Sequence, residues 1–335
     1  MRFDIVQLPN HVAGMDPPFD VYYRQLLEEI VLAEELGFTC WWFTEHHLIP
    51  YGGPIPDPAV FIAAAAARTS RIRFGCSVSV LPLHHPIQVA EDYAMVDVLS
   101  GGRLEFGMGV GNNPFEYGIF GVPLEEGRER YEEAVEIILK VWANERVSDA
   151  GKFWQFEDVS VYPRPVQRPH PPLWVAGLSE GSLGFAGRLG RNIMIVAHPR
   201  PPEEVRPGVD AWRAGLEEGG PDPSSATASS TCAPTSTRTA PTPARWGRPP
   251  SLGTTSSPER GFRPPRPDET DWDGMLRTGR NIYGNPEQCI EVMRRSIQHY
   301  GFDISGMQFN FGGIPHDEVV KAMRLFAREV MPAFQ

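Results

Sequence analysis

Short apolar runs alternate with longer stretches of helical periodicity along most of the chain, the rhythm of successive β/α units around a parallel sheet. The runs at 3–8, 40–43, 72–78, 104–108, 173–175 and 192–196 predict strands, and the patterns at 21–36, 58–68, 88–99, 125–142 and 182–189 predict helices. In the first helix Leu26, Leu27, Ile30, Val31 and Ala33 fall close to one stripe, and Gly37 follows as a C-cap, so the helix packs on a sheet. Further on, 286–300 reads as a helix with Pro286 in its first turn and Gly301 just past its end, 304–309 as a strand, and 318–330 as a closing helix. Together these units predict an α/β fold, a (β/α)8 TIM barrel, as a single domain over 1–335. In such barrels the chemistry sits in the loops after the C-terminal ends of the strands. The segment 143–170, carrying Phe153, Trp154, Phe156 and Val159, breaks the rhythm and reads as an insertion before the fifth strand.

Residues 221–267 depart from the pattern where the seventh strand is due. They hold 11 Pro and six Arg, no Lys, Ile, Val, Met or Tyr, and single Leu, Phe and Trp residues. That composition argues against a buried parallel strand and predicts a seventh β/α unit that is irregular or disordered, with the barrel open beside it. The whole chain has only three lysines among its 31 basic residues, as a GC-rich gene would give. The anomalous stretch therefore reads either as a frameshifted segment or as a genuine disordered insertion.

Composition narrows the function. A formal net charge of −11 leaves no clustered positive surface for nucleic acid or anionic membrane, and favours a small, uncharged or apolar substrate. The N-terminal MRFDIVQLPN has no leader pattern, and no run approaches the length of a membrane span, so the expectation is a soluble, cytoplasmic protein. Cys40, Cys76, Cys232 and Cys289 are scattered without a CxxC pair or metal-ligand spacing, and read as free thiols with no metal site.

Four strand ends carry the candidate chemistry. The second runs into GFTCWWFTEHHL, placing Glu45, His46 and His47 at the rim, where a histidine can move protons or simply brace structure. The third reads RFGCSVSVLPLHHP, with small residues that let backbone approach a planar ring. The fourth ends in GMGVGNN, a turn able to bring backbone amides close to a ligand. The fifth ends in WVAGLSEGS, opening into a helix whose first amides and hydroxyls suit a phosphate, or whose serines act only as an N-cap.

These motifs, in this order, resemble bacterial luciferase and the wider family of luciferase-like flavin-dependent monooxygenases, and the resemblance covers about 1–215 and 280–334. It implies that reduced FMN, supplied by a separate flavin reductase, reacts with O2 through a C4a-hydroperoxyflavin to oxidise a small organic substrate. No GxGxxG stands in a strand-to-helix context to bind a second nucleotide. A relative using the deazaflavin F420 and a flavin-binding protein without turnover are the alternatives. By the same resemblance His46 is the catalytic member of the pair, Glu45 orients it, and His47 is structural or at an interface. A non-prolyl cis peptide joins Ser77 to Val78 behind the flavin ring. Met108 and Gly109 belong to the cofactor site, and Gly177, Leu178, Ser179, Gly181 and Ser182 cradle the phosphate. Val110 stands where luciferase has an arginine for that phosphate, so this contact is missing or supplied from elsewhere. Trp41, Trp42 and Phe115 are expected to line the pocket. A homodimer is implied through the helices after the second and third strands, with the alanine-rich face 63–67 at the contact and Glu91 near His47, although core packing explains the alanines equally well.

Overall fold

The computed structural model describes residues 1–50, 52–177, 179–195, 202–219, 226–237, 282–302, 304–310 and 313–335. The strands are β1 (Arg2–Gln7), β2 (Cys40–Phe43), β3 (Arg73–Cys76), β4 (Ser79–Val80), β5 (Leu104–Gly109), β6 (Val147–Ala150), β7 (Gln155–Val159), β8 (Leu173–Ala176), β9 (Asn192–Ile195), β10 (Ala228–Thr237), β11 (Ile282–Gly284) and β12 (Ile304–Gln308). Between them lie α1 (Phe19–Leu36), α2 (Pro58–Ala66), α3 (Pro86–Ser100), α4 (Pro114–Ile119), α5 (Gly127–Ala143), α6 (Glu180–Arg188), α7 (Pro202–Gly219), α8 (Pro286–Tyr300) and α9 (His316–Glu329). Strands β1, β2, β3, β5, β8, β9, β10 and β12 pair in parallel around a closed ring, the TIM barrel expected from the β/α rhythm.

Alternation along each strand divides the core in two. Phe3, Ile5, Trp41, Phe43, Phe74, Leu104, Phe106 and Met108 point outward and pack with the apolar stripes of the helices. Val6, Trp42, Trp174, Met194 and Ile304 point inward and fill the barrel, with Val78 lying against them. Trp42 and Trp174 meet edge to face at 5.0 Å. Their indole N–H groups donate to Asp4 (2.9 Å) and Glu105 (2.6 Å), which are in turn paired with Arg2 and Arg73. This polar layer lies toward the N-terminal end of the barrel, and each buried carboxylate in it has a charged partner, as burial requires.

The segment 143–170 forms the antiparallel hairpin β6–β7 outside the ring. Its turn is tied to α5 through Glu133, whose carboxylate accepts the backbone N–H groups of Lys152, Phe153 and Trp154.

The seventh strand closes the ring, which corrects the expectation of an open barrel beside it, while the strand itself is irregular. β10 pairs with β9 through Ala228↔Ile193, Ser229↔Met194 and Ser230↔Ile195, and with β12 from Ser229↔Ile304 to Thr231↔Gly306. A parallel ladder is made by backbone, so two flanking strands with unmet N–H and C=O groups can recruit a third of almost any composition. Ala228 and Ser229 are buried, and Ala228 joins Ile193, Val205, Val209 and Trp212 beneath the helices. The register shifts between Thr231 and Pro234, where proline offers no N–H to the ladder. Residues 221–225 and 238–267 of the anomalous stretch lie outside the described residues. Helix α7 was missed from sequence because Pro207 sits inside it; Val205, Val209, Trp212 and Leu216 nonetheless supply its buried stripe.

Candidate active site

β2 and β3 run side by side with Phe43 opposite Cys76, so the segments that follow, 44–47 and 77–80, emerge together at the C-terminal rim. The Ser77–Val78 peptide is cis, as the resemblance implied. Ser77 N–H donates to Phe43 O at 2.6 Å, and its hydroxyl meets Met194 Sδ at 3.0 Å across the barrel. Both residues are half-buried, so this strand end is open to the mouth while Val78 remains seated on the inner core.

The glycines of β5 and of the turn after it make room for a neighbouring segment. Cβ atoms added at Gly107, Gly109 and Gly111 would meet Cys76 O at 1.9 Å, Val78 Cγ2 at 2.4 Å and Val80 Cγ1 at 2.5 Å. Alternate positions of β5 and its extension thus lack side chains so that the segment 76–80 can lie flat against them. Met108, between two of these glycines, sends its side chain outward into the helix layer, where it is buried. Trp41 is likewise in the outer layer and Trp42 deep inside the barrel, so neither lines the mouth, whereas Phe115 is half-buried in α4.

The histidine pair splits in opposite directions. His46 Nδ1 lies 3.1 Å from Glu116 Oε1, and the same oxygen accepts the backbone N–H of His47 at 2.8 Å. Glu116 is buried on α4, a short helix begun by Asn113, whose side chain caps Phe115 N–H. The loop after β2 closes over the His46 ring at Gly52, where φ is +86° and an added Cβ would stand 2.5 Å from His46 Cδ2. His47 turns away: its Nε2 lies 3.3 Å from Glu45 Oε1 and its ring packs on Phe120. Glu45 Oε1 also meets His84 Nε2 at 2.7 Å, and Oε2 accepts Val80 N–H at 3.3 Å. Within the chain, then, the carboxylate beside His46 is Glu116, and Glu45 meets His47 and His84 instead. Burial alone would raise the Glu45 pKa, but the bonds from His47 and His84 and their charge hold it down at about 2. The same contact raises His84 despite the opposing effect of its burial.

On the far side of the mouth, α6 opens at Ser179 as N-cap, with Ser179 Oγ accepting Ser182 N–H at 3.3 Å and the two hydroxyls 2.7 Å apart. A Cβ at Gly181 would meet nothing within 4 Å, so the first turn of this nine-residue helix faces open space. Gly177 is half-buried before it; Leu178 lies outside the described residues. Met15 in the loop after β1, Phe19 at the start of α1 and Leu48 after β2 are exposed apolar side chains.

The family described as luciferase-like monooxygenase matches residues 1–303. The oxygenase component of a flavin-dependent trigonelline monooxygenase from Acinetobacter baylyi is 33% identical over 220 residues, 65% of this chain and 60% of that protein. An F420-dependent glucose-6-phosphate dehydrogenase from Beutenbergia cavernae is 37% identical over 181 residues, 52% of this chain and 53% of that protein. Among solved structures, a Streptomyces bottropensis monooxygenase superposes with a TM-score of 0.89 at 29% identity, covering 100% of both chains. The chain spans about half to three-fifths (49–60%) of the length of the curated relatives it matches.

Proposed function

The chain belongs to the luciferase-like monooxygenase family, and on that premise we propose that it is the oxygenase of a two-component system, taking reduced FMN from a separate flavin reductase to oxidise a small organic substrate with O2. The observation that carries the reading is the Glu116–His46 bond at the barrel mouth. An ionised carboxylate only accepts, so the ring donates from Nδ1 and leaves Nε2 free to take up or return a proton.

The residues present fit FMN. Ser77 and Val78 offer a flat, half-buried seat for the ring, and the open first turn of α6 offers amides and two hydroxyls for the phosphate. When bound, reduced FMN supplies the electrons that activate O2. The protein's part is to seat the ring on Val78, hydrogen-bond the phosphate at Ser179 and Ser182, and offer His46 Nε2 as acid and base. The packed barrel interior beneath, filled by Trp42, Trp174 and Met194, keeps water from entering from below. Met15, Phe19 and Leu48 favour an apolar substrate.

A deazaflavin reading has its own support in the similarity to F420-dependent glucose-6-phosphate dehydrogenase. Parallel reconstitution separates the two. Tight FMN binding with O2 consumption after photoreduction is expected; F420 binding with hydride transfer and no O2 uptake would replace the first reading by the second. A homodimer is part of the proposal, because α2 and α3 expose Val60, Met95 and Leu99 on neighbouring helices. Among the described residues no helix is long and apolar enough to cross a membrane.

A further inference from the structure

Behind the His46 face, three metal-ligating side chains converge from two strand ends. His47 Nε2, His84 Nε2 and a carboxylate oxygen of Glu45 lie within 4.8 Å of one another, joined at 3.3 Å and 2.7 Å through Glu45 Oε1. Glu45 is almost fully buried, and among the described residues the basic side chains paired with it are these two histidines. Asp57 and Asp92 add negative charge around His84. We propose that Glu45, His47 and His84 form a binding site for a divalent transition-metal ion of the zinc class.

The donor set, two imidazoles and one carboxylate, is one that zinc accepts with a fourth, open position. Bond lengths of about 2.0–2.2 Å in a tetrahedral centre put neighbouring ligand atoms roughly 3.4 Å apart. The Glu45–His47 separation already matches, and Glu45–His84 needs to open by well under 1 Å. The side chain of His84 is 31% exposed, which gives an ion an entry path and a place for water. Asp57 and Asp92 offset the ion's charge from outside the ligand shell. Bound there, the ion would clamp the end of β2 to the loop after β4.

The test uses the whole protein, stripped with chelator and titrated with Co2+, whose visible bands report tetrahedral nitrogen and oxygen ligands. One Co2+ per chain with such bands, displaced by Zn2+, is expected. His47→Gln and His84→Gln should each weaken binding by more than about 100-fold, beyond the loss typical of outer-shell changes. His170→Gln should leave it unchanged, and circular dichroism checks that each variant is folded. Absence of the bands in the parent protein, or equal binding by folded His84→Gln, would overturn the proposal.

Discussion

His46 Nδ1 lies 3.1 Å from Glu116 Oε1, and that single oxygen also accepts the backbone N–H of His47 at 2.8 Å. One buried carboxylate thus holds both the ring of the first histidine and the backbone of the second.

Glu116→Ala should free the His46 ring and leave the His47 N–H without its acceptor. Turnover is expected to fall about 10–100-fold, with stability lower by about 1–3 kcal/mol. Glu116→Gln keeps an acceptor oxygen and should recover most of the stability but less of the turnover. Urea unfolding and single-turnover rates measured together check this; parent-like turnover in Glu116→Ala would count against the positioning role.

Gly107→Ala should be among the costliest single-methyl changes in the chain, because its Cβ would stand 1.9 Å from Cys76 O, a backbone atom. A loss of about 1–3 kcal/mol or more is expected from the forced shift. Gly181→Ala, with nothing within 4 Å, should be neutral or slightly stabilising, since it replaces glycine within a helix. Thermal unfolding of the pair distinguishes a packing glycine from an open one.

Glu34, near the end of α1, accepts the backbone N–H groups of Ser70, Arg71 and Ile72. Although burial pushes the other way, these bonds hold its pKa at about 2, below the ordinary 4.5. A folded-state value below the unfolded one gives stability that is complete above about pH 4.5 and is lost as pH falls toward 2. Glu34→Gln should lower stability at neutral pH by about 1–2 kcal/mol and flatten the profile across that interval, as read from denaturant midpoints at several pH values.

Much of the barrel was legible because each strand reads as a short apolar run between helical stripes, and β2 and α8 fall at the expected bounds. β10 was not legible, since backbone pairing on both sides holds it while its sequence offers only Ala228 and small polar residues near the start. The site was half legible. His46 and the Ser77–Val78 pair are local motifs, whereas Glu116 is 70 residues from His46 and no local pattern marks it. Gly107, Gly109 and Gly111 were visible but open to misreading, because a ligand and a neighbouring strand both call for a missing side chain.

The most direct measurement of the central claim compares His46→Ala with His47→Ala for FMN affinity and turnover. His46 meets Glu116, while His47 meets Glu45, Phe120 and His84. Turnover in His46→Ala should fall by roughly 10²–10⁴ with FMN affinity within about a few-fold, and His47→Ala should mainly lose stability or association. Equal loss of turnover in both variants, or full turnover in His46→Ala, would contradict the assignment.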